Sequence, residues 1–225
     1  MIRKLILLTA LVAPASTHAC SVCIAHSLGA ALHGFGAQTL PTRHGVVGLS
    51  YLTFSKSNAA HHHDDEEVGA DHELREFETF QQTSIEAAYG LSGSVMATVS
   101  VPFVHKSIRV DDGPSERASG MGDVVLGLTY QLPVVERNRV VTAFEFDIKL
   151  PTGDNEKKDE GGDRLEDHLQ PGSGTTDVAF GILLSMEDES RPGNLWYGGV
   201  RYRANQENKF GFKYGNVLFL SLIHI

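Results

Sequence analysis

The stretch Val140–Leu150, VVTAFEFDIKL, decides how the rest of the chain is read. Its even positions are Val140, Thr142, Phe144, Phe146, Ile148 and Leu150. Its odd positions are Val141, Ala143, Glu145, Asp147 and Lys149. Successive side chains of a strand point to opposite faces, so this pattern predicts a strand with one apolar face and one wet, charged face. A sheet in a soluble protein could carry such a strand, and so could a transmembrane barrel. The neighbouring segments separate the two.

The same period recurs along the chain. In 77–91 the odd positions carry Phe77, Ile85, Ala87, Tyr89 and Leu91, and the even ones carry Glu78, Gln82, Ser84 and Glu86. The apolar face is odd in 95–103 and even in 123–132 and 177–186. In 195–205 Trp196, Val200 and Tyr202 stand opposite Arg201 and Arg203. Weaker strands are expected over 45–55 and 210–220, and no long helix is expected after residue 40. Ten residues at about 3.3 Å each span about 33 Å, and a tilt near 45° leaves about 23 Å along a membrane normal. That suits the apolar band of an outer-membrane barrel, whereas soluble strands average nearer five or six residues.

Connection lengths argue the same way. Ser92-Gly93 reads as a hairpin turn, and the links 133–138 and 187–194 are short. The links 56–74, 107–119 and 151–173 are longer, polar and acidic. Short and long connections alternate, which places every long loop on one rim of a meander. Outer-membrane barrels have this asymmetry, with short periplasmic turns and long extracellular loops. The expected fold is therefore all-β: an antiparallel up-and-down transmembrane β-barrel with about eight strands present.

The N-terminus supports export. Arg3-Lys4 precedes an apolar run from Leu5 to Val12, and Ala15-Ser16-Thr17-His18-Ala19 ends in small residues. These are the three parts of a secretory signal peptide, assigned to 1–19. Residues 20–43 form a separate Cys/His segment, periplasmic or folded into the barrel as a plug, and the strands occupy 44–220. The last residues read LSLIHI rather than a strand closing on an aromatic residue, so 221–225 is expected to be foreign sequence and the barrel incomplete. The chain has 225 residues, 41% of them apolar, and a net charge of −9. No basic block is present, which argues against a nucleic-acid partner. The expected partners are outer-membrane lipid, lipopolysaccharide and a small-molecule solute.

An internal echo runs through the middle of the chain. Ser119-Gly120 is followed by Asp123-Val124 and Gly127, and Ser173-Gly174 by Asp177-Val178 and Gly181 at the same offsets. No helix follows either copy, so a phosphate cradle is excluded. The glycines are expected to relieve crowding within curved strands. The segments GMGDVVLGLTYQL (120–132), FDIKLPTGD (146–154) and QPGSGTTDVAFGILL (170–184) resemble the outer-membrane proteins named for the meta-pathway of phenol degradation. The resemblance covers about residues 44–205. It implies a barrel in the outer membrane of a Gram-negative bacterium and passage of hydrophobic or aromatic compounds, with no active-site residues to carry over.

Three constellations could carry chemistry. The wet faces bring together Glu78, Glu86, Asp123, Glu145, Asp147, Lys149, Asp177, Arg201 and Arg203. An Arg at the midplane of a lipid face costs about 2–4 kcal/mol, so these residues are expected to line the lumen. There they would pair to hold the wall or set the selectivity of a path. The second constellation is Cys20 and Cys23 with His26, which reads as a metal chelator or, in an oxidising compartment, a disulfide. The third is HHHDDEE, with His61, His62 and His63 beside four acids. It reads as a solvated loop tip able to bind Zn, Cu or Ni weakly. No nucleophile elbow or other hydrolase motif is present, so no enzyme is expected. The function expected is passive transport of small hydrophobic or aromatic molecules. The alternative is metal handling by the Cys/His-rich segments on a structural barrel.

Overall fold

The computed structural model describes residues 36–59, 75–110, 115–133, 140–187 and 194–224. Among these, the regular structure is entirely β. The strands are β1 (Gly45–Ala59), β2 (Arg75–Ser92), β3 (Val95–Val110), β4 (Ser115–Met121), β5 (Val124–Gln131), β6 (Val140–Leu150), β7 (Asp177–Glu187), β8 (Leu195–Ala204) and β9 (Val217–His224). All pairings are antiparallel in one sheet of order β1-β2-β3-β5-β6-β7-β8-β9, in which β4 also pairs with β3 and β1 and β9 lie at the edges. A flat single sheet would leave both faces wet. Here Phe80, Ser84 and Asp177 on one face are almost wholly buried while Phe180, Ile182 and Leu220 on the other are exposed. The sheet is curled, so that one face becomes an interior, as in an incomplete β-barrel.

The alternation in sequence sets which side chains point where. Exposed apolar residues form a belt around the outside: Leu49 and Tyr51 on β1, Phe103 on β3, Leu126 and Leu128 on β5, Phe144 and Phe146 on β6, Phe180 and Ile182 on β7, Val200 and Tyr202 on β8. The rings of Phe146 and Phe180 pack side by side at 5.1 Å between centroids. The intervening residues of each strand turn inward.

β4 and β5 are two parts of one span, broken at Gly122–Asp123. Pro102 of β3 lies opposite the break and has no N–H to give to the ladder. Its carbonyl still accepts from Gly122 N at 2.8 Å. The register jumps from Phe103↔Met121 to Ser100↔Val125, so three residues oppose two. This is a β-bulge, and it reverses the parity of the strand. Inward residues are even in β4, such as buried Ala118, and odd in β5, such as buried Val125.

Two sequence expectations require correction. The links 56–74 and 107–119 are shorter than expected, because β1, β2, β3 and β4 continue beyond the apolar belt. Outward positions there are polar, among them Thr79, Thr83, His105 and Ser107, so the alternation of hydropathy fades although the pairing persists. The strand expected over 210–220 begins only at Val217. Residues 205–216 form a loop instead. Gly211 takes φ +81°, and Asn208 Oδ1 accepts from the backbone N–H groups of Phe210 and Phe212, which fixes a tight turn in place of a ladder. β9 itself runs through Ser221 to His224, paired to β8.

Candidate functional site

The interior of the curled sheet gathers the charged residues. Glu78 and Glu86 on β2, Asp123 before β5, Glu145, Asp147 and Lys149 on β6, Asp177 on β7 and Arg203 on β8 are buried on the inner face. Arg201 is on the same face and half-buried. β6 is the axis of the arrangement. Lys149 Nζ lies 3.5 Å from Asp123 Oδ2 and is also paired with Asp177. It donates to Ser173 Oγ at 2.6 Å. Arg201 pairs with Glu145 through Nε at 3.3 Å and with Asp147 through its terminal nitrogen. Charges removed from water are tolerated only when paired and hydrogen-bonded, and this network supplies the pairs.

The internal echo acquires a physical role here. Its two aspartates, Asp123 and Asp177, flank the single ammonium of Lys149. Its two glycines stand beside the carboxylates of β6. Gly127 is in register with Asp147, and Gly181 with Glu145. A Cβ at Gly127 would come within 2.5 Å of Asp147 Oδ1, and one at Gly181 within 3.0 Å of Glu145 Oε2. The glycines therefore leave the space that the acidic side chains fill, which is more specific than general relief of curvature.

The long-loop end of the interior is covered by the segment 151–176, which folds inward. Its two ends meet where Gly153 and Gly172 touch backbone to backbone, with no room for a Cβ on either. Asp123 holds both ends, accepting from Gly153 N at 3.0 Å and from Ser173 N at 2.8 Å. Lys106, buried on β3, donates to the carbonyls of His168 and Gln170 at 2.9 and 2.6 Å. Leu165 and Leu169 pack on Ala118 and Ile108. The loop 205–216 locks onto this cover. Asn208 donates to Asp167 at 2.7 Å, and Tyr214 donates to the Asp167 carbonyl at 2.9 Å. Arg164 grips the Asp167 carboxylate with both terminal nitrogens. Burial pulls the Asp167 carboxyl upward, but the hydrogen bonds from Arg164 and Asn208 and the Arg164 charge outweigh it and hold it below the usual carboxylate range. The Asp154 carboxyl is lowered chiefly by the backbone hydrogen bond from Glu156.

Sequence reasoning missed Lys106, Gln170 and Ser173. Lys106 was legible: it continues the inward parity of Ser100 and Val104 on β3. Gln170 and Ser173 sit in a loop, where no period marks an inward residue. Cys20, Cys23, His26, His61, His62 and His63 lie outside the described residues. Among the described residues, no group of three or more His, Cys, Asp or Glu side chains is placed to hold a metal ion.

Residues 67–221 match the family model named for the MetA-pathway of phenol degradation. No curated protein matches the chain.

Proposed function

The chain belongs to the family named for the MetA-pathway of phenol degradation, and we propose that it is an outer-membrane barrel for passive transport of small molecules, a conduit rather than a catalyst. The observation that carries this reading is the inversion of polarity across the wall. Large apolar side chains are exposed outside while ion pairs are buried inside. A soluble protein buries its apolar face, whereas a barrel in lipid presents it. Between the two edge strands, the others satisfy their backbone groups within the sheet, as a bilayer requires. The loops 151–176 and 205–216 then occupy the extracellular rim, where they meet lipopolysaccharide. The turn 93–94 occupies the periplasmic one.

The inner wall narrows the solute class. A wall of Glu145, Asp147, Lys149 and Arg201 offers donors and acceptors, not a greasy path. It suits an aromatic ring carrying a hydroxyl or another polar group better than a bare hydrocarbon. Thiol labelling in intact cells tests the placement, in a Cys20→Ser, Cys23→Ser background. Asp159→Cys should label and Gly93→Cys should not. Flux of phenol and of toluene into proteoliposomes tests the solute class, with phenol the faster above protein-free controls. Absence from the outer-membrane fraction would overturn the reading.

A further inference from the structure

Residues 36–44 form a strap across the short-turn end of the barrel. Its hydrogen bonds to the strands go to inward-facing positions. Ala37 is wholly buried, and its N–H donates to Ser185 Oγ of β7 at 2.8 Å. Gly36 sits against the ring of Tyr197 on β8, where a Cβ would come within 2.4 Å of the ring, and its φ of +64° also favours glycine. Thr39 N donates to Gln131 Oε1 of β5 at 3.0 Å, and Thr39 Oγ1 to the carbonyl of Gly93 in the β2–β3 turn. Leu40 and Pro41 put their carbonyl oxygens where a Cβ on Gly90 would stand. Arg43 N donates to the Gly90 carbonyl at 2.8 Å before β1 begins. Gly90, Gln131, Ser185 and Tyr197 all carry the inward parity of their strands. The strap thus runs from β7 and β8 over β5 to β2, within the mouth rather than beneath it.

We propose that residues 36–44 are a built-in closure of the short-turn mouth, and that solute passes only when the strap leaves its seats on Ser185 and Gln131. This rests on the transport reading and adds a gate to it. The seating is suited to release. Apart from Ala37, the strap buries little apolar surface. Upstream of Arg43 it is held by individual hydrogen bonds that each involve a side chain, each of modest net strength. Segments with few buried contacts open at low cost. β1 anchors the strap's downstream end by its full ladder with β2, so release leaves the barrel wall in place.

The test is the rate at which a water-soluble maleimide modifies a thiol introduced by Ala88→Cys, in the full-length chain with Cys20→Ser and Cys23→Ser. Ala88 is buried on the inner face just inside the strap. Ala37→Asp and Gly36→Leu should each raise the rate by about tenfold, the factor expected from losing one or two hydrogen bonds. Thr42→Ala, on the exposed part of the strap, should leave it unchanged. Equal rates in all variants would overturn the proposal. A Thr39→Cys, Gln131→Cys pair covers the case in which Ala37→Asp fails to fold. Oxidation should then hold Ala88→Cys protected and stop phenol flux, and reduction should restore both. Flux that persists after cross-linking would also overturn it. Labelling needs no solute, so strap-dependent labelling without any phenol flux supports the strap and sinks the transport reading alone.

Discussion

Gly127 on β5 and Asp147 on β6 share one position of the wall: they are in register, and the carboxylate, with the Thr98 hydroxyl of β3, fills the space that a side chain at 127 would need. Gly127→Ala should therefore displace Asp147 from Arg201 and destabilise the folded barrel by about 1–3 kcal/mol, the usual cost of overpacking. Gly215→Ala, where a Cβ would meet nothing within 4 Å, should be silent. Urea midpoints read by heat-modifiable migration compare the two. Equal midpoints would show that the wall relaxes freely at 127.

Lys149 pairs with both Asp123 and Asp177. Lys149→Met should leave two buried carboxylates without it and cost about 3–5 kcal/mol, as removal of one partner of a buried pair does. Adding Asp177→Asn should recover part of that loss. The measurement is the same unfolding midpoint for wild type, single and double variants. A double variant no better than the single would show that the carboxylate of Asp177 does not need Lys149.

Phe146 and Asp147 are adjacent in sequence and opposite in facing: Phe146 is exposed on the outer belt and Asp147 buried inside. Phe146→Arg should impair insertion at a cost of about 2–4 kcal/mol if it lies near the bilayer midplane. Phe146→Leu should insert normally. Recovery of folded protein in liposomes distinguishes them, and normal insertion of Phe146→Arg would place this belt outside the membrane.

The cover formed by 151–176 should respond to acid. The Asp167 carboxyl is lowered in the folded state, so it contributes stability above the unfolded carboxylate value of about 3.9 and loses it as pH falls through the lower folded value. Docking of the loop should be flat from pH 8 to about 5 and weaken below about 4. Hydrogen exchange of Leu165 and Leu169 amides follows it directly, and Asp167→Asn should flatten the acid limb. Loosening between pH 8 and 6 would point to another titrating group.

The period-two pattern in 140–150 and its neighbours determined the element type, the parity of most strands and the outward belt. It could do so because alternation is a local property, and a residue's face follows from that of the one before it. The alternation of short and long links fixed the meander for the same reason. The pattern ended where outward positions turned polar, so the upper reaches of β2 and β3 were invisible to it although the ladder continues. It also could not show the parity reversal at Gly122–Asp123, which depends on the missing N–H of Pro102 in another strand. Nor could it show what fills the interior. Ser185 meets Ala37 across 148 positions, and Lys106 meets Gln170 across 64. Only tertiary structure decides such contacts, because it is the curl of the sheet that brings these segments together, and no local period records the curl.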